Sequence, residues 1–65
     1  MTVSVNGKMR EVTAVTVADL IGLLNLPSER IALERNLEIV SRSAWAQTAI
    51  AEGDKFEIVQ FVGGG

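Results

Sequence analysis

The residues of this chain with the clearest chemical potential carry no side chain. Gly63, Gly64 and Gly65 close the sequence directly after the apolar run from Phe56 to Val62. A segment without Cβ atoms can thread a narrow channel and present a terminal carboxylate to a nucleotide held in a partner's site. A carboxylate acylates poorly until one oxygen is exchanged for a good leaving group such as AMP. The acyl adenylate can then be captured by a sulfur, oxygen or nitrogen nucleophile. Composition alone also accommodates a frayed glycine-rich end, since termini are often mobile. What sets these glycines apart is that they follow at once on a well-specified strand pattern.

The other side chains exclude more chemistry than they offer. The chain has no His, no Cys and no Tyr, so no Ser–His or Cys–His nucleophilic pair can be assembled. Imidazole and thiolate metal sites are excluded too, leaving carboxylate oxygens and hard cations. The eight acidic residues, Glu11, Asp19, Glu29, Glu34, Glu38, Glu52, Asp54 and Glu57, are scattered among basic ones and read as a solvated, charge-mixed surface. A pair of catalytic carboxylates would also need a cleft that 65 residues can hardly enclose. With six Lys and Arg in no run and a net charge of −2, nucleic acid is not an expected partner. No apolar run is long enough for a bilayer and no basic-then-apolar leader opens the chain, so a cytoplasmic protein is expected.

The elements that must position the tail follow from periodicity. Val3 and Val5 alternate with Thr2, Ser4 and Asn6, the period of a half-buried strand. Asn6-Gly7 is a strong hairpin signal, because both residues accept positive φ, and a second strand from about Met9 to Val12 should return beside the first. Val17, Leu20, Ile21 and Leu24 then fall at helical spacing. Thr16 suits the N-cap, Asp19 lies at capping-box distance, Asn25 can take a left-handed C-terminal position and Pro27 blocks continuation. Ile31–Arg35 reads as a third strand with Ile31 and Leu33 inward, Asn36 as a turn, and Glu38–Val40 as a short fourth strand. From Ser41 to Ile50 the pattern is irregular, with Trp45 and Ile50 expected to plug the core. Gly53-Asp54 is a turn, and Phe56 to Val62 the final strand.

This order, β-β-α-β-β followed by a last strand, defines an α+β fold with one main helix on one face of a mixed sheet of four to five strands. The packing that buries most lays the first and last strands side by side and parallel at the sheet centre, which is the β-grasp, or ubiquitin-like, topology. Residues 1–62 then form one domain and 63–65 a flexible tail. The core is small, worth roughly 3–5 kcal/mol of net stability without a staple. Along the last strand Phe56, Ile58 and Val62 share one parity with Gln60, and Val59 and Phe61 share the other with Glu57. With the first set toward the helix, Val59 and Phe61 lie on the open sheet face and form a candidate docking patch beside the tail. The alternatives are cover by loop residues, or ordinary scattered surface hydrophobes with no docking role.

The chain resembles the ThiS family, the sulfur carriers of thiazole (thiamine) biosynthesis, over essentially its whole length. The matching pieces are Val3-x-Val5-Asn6-Gly7, Thr16-Val17-Ala18-Asp19-Leu20, Ile31-Ala32-Leu33-Glu34-Arg35-Asn36, Glu38-Ile39-Val40 and Arg42-Ser43. The set closes with Gly53-Asp54-x-x-Glu57-Ile58-Val59-Gln60-x-Val62-Gly63-Gly64-Gly65. Ser41 stands where many members have proline, which leaves the geometry of the following loop open. The resemblance implies a β-grasp carrier with no catalytic side chain and no bound cofactor. A ThiF-type adenylating enzyme would use ATP and Mg to convert the Gly65 carboxylate to an acyl adenylate. A sulfur donor such as a cysteine desulfurase would turn it into a thiocarboxylate, and thiazole synthase would take the sulfur. Gly63 and Gly64 would enter the partners' active sites. Two neighbouring readings share the activation chemistry: the small subunit of molybdopterin synthase, and a ubiquitin-like modifier joined to lysines through Gly65. A plain interaction module with an idle tail is a further reading.

Overall fold

The computed structural model describes residues 1–62, and the expectation of a flexible tail at 63–65 lies outside them. Five strands form one sheet: β1 (Thr2–Val5), β2 (Lys8–Glu11), β3 (Ile31–Arg35), β4 (Glu38–Ile39) and β5 (Lys55–Gln60). The helix α1 (Val17–Leu23) lies between β2 and β3 in sequence, and short 3-10 turns occupy Ser28–Arg30 and Arg42–Gln47. The spatial order is β2-β1-β5-β3-β4. β1 runs parallel to β5 and the other neighbours are antiparallel, so the first and last strands do form the sheet centre.

Local chemistry sets these boundaries. Asn6 and Gly7 both take positive φ, 50° and 83°, as a two-residue hairpin between right-twisted strands requires. The Thr16 side chain accepts from the Asp19 amide while Asp19 reaches back to the Thr16 amide, a complete capping box. Asn25 is left-handed at φ 58°. The Asn25 amide donates to the Gly22 carbonyl at 3.1 Å and the Leu26 amide to that of Ile21 at 3.3 Å, which closes the helix as a Schellman motif.

Val17, Leu20 and Ile21 of α1 pack against Val3, Leu33, Phe56 and Ile58 from the sheet. The segment with the irregular pattern closes the side of this core. Trp45 is buried within its 3-10 turn and donates its indole N–H to the Val40 carbonyl at 2.9 Å. Ile50 is buried as well, its amide bonded to the Val15 carbonyl at 3.0 Å.

Two expectations need correction. Val62 does not share the buried face with Phe56 and Ile58: it is 95% exposed. The β3 register ends at Ile31 opposite Gln60, and β1 has already ended at Val5, so among the described residues no strand runs beside Val62. Asp54, read as part of a solvated surface, is only 5% exposed.

Candidate functional site

The strand that carries the glycines is held from both sides. On the β3 side the pairing runs from Arg35 opposite Phe56 to Ile31 opposite Gln60, and the Phe61 amide adds a bond to the Arg30 carbonyl at 2.7 Å. On the β1 side the ladder covers only Lys55 and Phe56, and the Asn6 amide donates to the Phe56 carbonyl at 2.9 Å. Beyond that point Asn6 substitutes its side chain for a missing strand. Its Oδ1 accepts from the Ile58 amide at 2.7 Å, and its Nδ2 donates to the Ile58 carbonyl at 3.1 Å. A carboxamide offers the same donor–acceptor pair as a peptide group, so β5 is fixed two residues further than β1 itself reaches. The direction in which the chain leaves at Val62 is therefore set by Arg30, Ile31 and Asn6.

On the sheet face away from α1, Val59 is 59% and Phe61 54% exposed. Among the described residues no loop covers them. Val59 lies opposite Ala32, and Ile39, opposite Glu34, is also exposed. A shallow depression of 330 Å³ runs among Ala32, Ile39 and Val59, with Glu34 and Glu57 at its margins. Periodicity along β5 pointed to Val59 and Phe61. It did not reach Ile39, or Met9 on β2, whose place on this face depends on strand register.

At the opposite end of β5 a polar cluster anchors the start of the strand. Asp54 accepts from Arg35 Nε at 2.8 Å, from the Ala51 amide at 2.8 Å and from Asn36 Nδ2 at 3.1 Å. Asn36 Oδ1 in turn accepts from the Lys55 amide at 3.0 Å. Burial pushes the Asp54 carboxyl up, but the bonds from Arg35, Ala51 and Asn36 outweigh it and hold the group below the usual aspartate range. Two exposed carboxyls are lowered as well. Glu11 is held down by the Thr2 hydroxyl and the N-terminal ammonium, and Asp19 by the Thr16 and Val15 amides and the Thr16 hydroxyl. None of these groups adjoins the tail end of β5. Among the described residues no group of three or more carboxylates could hold a metal ion.

The candidate tail positions Gly63, Gly64 and Gly65 lie outside the described residues, so what can be read is the platform that carries them. That platform is a ubiquitin-like β-grasp domain whose last strand projects from the sheet centre beside an open apolar face. Residues 3–65 match the ThiS family, and the chain belongs to it. It is 36% identical over 50 residues to the sulfur carrier protein ThiS of Bacillus subtilis, covering 77% of this chain and 76% of that one. The crystal structure of the thiamine biosynthesis protein ThiS from Geobacter metallireducens superposes with a TM-score of 0.85 at 33% identity, covering all of both chains. A thiazole synthase of Paramagnetospirillum magneticum is 50% identical over 66 residues, covering all of this chain, which spans 20% of that protein's length.

Membership gives the separate motifs a shared geometry. Glu34-Arg35-Asn36 and Gly53-Asp54 meet in the Asp54 cluster, and Asn6-Gly7 meets Glu57-Ile58 in the carboxamide clamp. Ser41 has φ −67°, the value a proline ring enforces, so serine here keeps the backbone angle that proline would impose.

Proposed function

We propose that this chain is a sulfur carrier of thiazole (thiamine) biosynthesis, acted on by enzymes and not itself a catalyst. The Gly65 carboxylate attacks the α-phosphate of ATP in a Mg-dependent, ThiF-type enzyme, forming an acyl adenylate and releasing pyrophosphate. The terminal sulfur of a persulfide donor, such as a cysteine desulfurase, attacks the acyl carbon and displaces AMP to give an acyl disulfide. A thiol then attacks the donor's sulfur, forming a disulfide with it and releasing the thiocarboxylate. Thiazole synthase then takes the sulfur. The chain's own residues supply presentation. Asn6 and the Arg30 carbonyl hold β5 in line, Val59 and Phe61 dock on the partner, and Gly63 and Gly64 enter its active site. Such chemistry belongs to the cytoplasm.

The observation that carries this reading is a last strand anchored by Asn6 as far as Ile58 and on the β3 side as far as Phe61, with three glycines following Val62, in a chain of the ThiS family. The likeness to a thiazole synthase favours the thiazole branch over the molybdopterin one.

The test is the intact mass of the 65-residue chain before and after incubation with ATP, Mg, a ThiF-type enzyme and a sulfide source. The expected result is a gain equal to one oxygen exchanged for one sulfur, absent when Gly65 is deleted. No gain, with an enzyme shown competent on another carrier, overturns the proposal. Loss of the gene should create a thiamine requirement; loss of molybdoenzyme activity instead would move the protein to the molybdopterin branch.

A further inference from the structure

The two edges of the sheet are unlike. β4 is two residues long and offers little to a passing chain, whereas β2 is a four-residue strand exposed at every position. The Asn6-Gly7 turn makes Val5 and Lys8 a hydrogen-bonded pair, so Val3 and Arg10 are one too. The Val12 amide on the Met1 carbonyl, at 2.7 Å, continues that alternation. The peptide groups of Met9 and Glu11 therefore point away from β1 and, among the described residues, have no strand to bond.

Side-chain direction sets what could bond there. Lys8 and Arg10 lie opposite Val5 and Val3, so both cations sit on the helix side of the sheet. They flank a groove of 470 Å³ between β2 and the end of α1, lined also by Val5, Leu24, Leu26 and Gln60. Among the described residues no carboxylate comes within 4.0 Å of either cation. Glu11, on the same strand, faces the other side and is held by the N-terminus and Thr2. Two unpaired cations over half-buried leucines form a positive site in a chain of net charge −2.

We propose that β2 is a docking edge for an extended, acidic segment of a partner protein, which adds to the sheet as a sixth strand. Backbone bonds form to Met9 and Glu11. Acidic residues at i and i+2 face Lys8 and Arg10, about 7 Å apart along the strand, with their stems over Leu24 and Leu26. The residue between them is apolar and faces exposed Met9. Strand addition supplies affinity through the main chain and selectivity through alternate side chains. A second copy of this chain is rejected, because its β2 would bring Lys and Arg against Lys and Arg. Charges on an edge strand also guard against aggregation, but that role is indifferent to the sign of the charge.

The test exploits that difference. The isotopically labelled 65-residue chain is titrated with the peptide Ac-Val-Glu-Leu-Glu-Val-NH2, and separately with its Lys-for-Glu analogue, while amide shifts are followed. The acidic peptide should move Lys8–Glu11 and Leu24–Leu26 and leave Ala32, Ile39 and Val59 in place. The double variant Lys8→Glu/Arg10→Glu should bind it about tenfold more weakly and acquire binding to the basic peptide. Lys8→Gln/Arg10→Gln gives the same loss of acidic binding should the reversal disturb folding. No shift at millimolar peptide, shifts centred on the open face, or unchanged binding by both variants would each overturn the proposal. None of these outcomes depends on the tail chemistry.

Discussion

Removing the Asp54 carboxylate should bring this domain close to unfolding, although Asp54 is one acid among eight. At 5% exposure it accepts three hydrogen bonds at 2.8–3.1 Å, one of them from a guanidinium. A bond to an ionised group contributes about 1.5–3 kcal/mol, all three of these end on the carboxylate anion, and the cost of burying that anion offsets part of their sum. In Asp54→Ala the Arg35 side chain, 30% exposed, recovers part of its hydration, so the net loss should be about 3 kcal/mol. A domain of this size holds only about 3–5 kcal/mol in all, and the melting temperature should fall by about 12–24 °C. Urea titration and thermal melts followed by circular dichroism read both quantities, with the exposed Glu38→Ala as control at under about 0.5 kcal/mol.

The same carboxyl gives a pH signature. Its folded pKa lies below the unfolded value, so its contribution is complete above about pH 4 and is lost as pH falls through the lower folded value. Asp54→Asn should lose that part of the acid dependence and keep the part due to Glu11 and Asp19, which are lowered as well. A cost below about 1 kcal/mol for Asp54→Ala, or a wild-type acid profile in Asp54→Asn, would refute the reasoning.

Three further outcomes are expected. Phe61→Ser should weaken binding of the activating enzyme, seen as a raised KM, and shift the melting temperature by no more than about 3 °C, since half of the side chain is already in water. Asn6→Asp keeps the backbone angle but cannot donate to the Ile58 carbonyl; it should cost about 1–2 kcal/mol and speed amide exchange at Ile58 and Phe61. Ser41→Pro should stabilise by about 0.4–1 kcal/mol, because φ is already −67° and the Ser41 amide donates no backbone bond; a loss on urea titration would mean that Val40 cannot accept the following ring.

The elements that sequence reveals are those fixed by neighbours in the chain. Val17, Leu20 and Ile21 at helical spacing, Thr16 and Asp19 at capping distance, and Asn6-Gly7 between alternating strands each carry their instruction within a few residues. The Asp54 cluster does not: its partners Arg35 and Asn36 lie 19 and 18 residues away, and a lone aspartate in a turn reads as solvated. The Arg42–Gln47 turn has no periodic signature because it is held by Trp45 reaching the Val40 carbonyl. Leu37 takes φ 74°, a conformation that nothing in its residue type announces. At the candidate site, parity along β5 was enough for Val59 and Phe61. Placing Ile39 beside them needed the β3–β4 register, and expecting Val62 to be buried overran the end of its neighbouring strands.

The parallel pairing of β1 with β5 has a consequence for how the protein is made. Ser4 pairs with Lys55 and Val5 with Phe56, contacts that span most of the chain. Within the sheet the N-terminal hairpin and the β3–β4 hairpin are joined only through β5, so the sheet cannot close while that strand is still inside the ribosome. Folding is thereby postponed until the segment next to the glycines has been synthesised. A chain broken off before Lys55 lacks its central strand and should be degraded faster than the full chain in a protease-sensitivity assay. A complete sheet thus requires the strand that leads to the three glycines, which ties the integrity of the fold to the segment beside them.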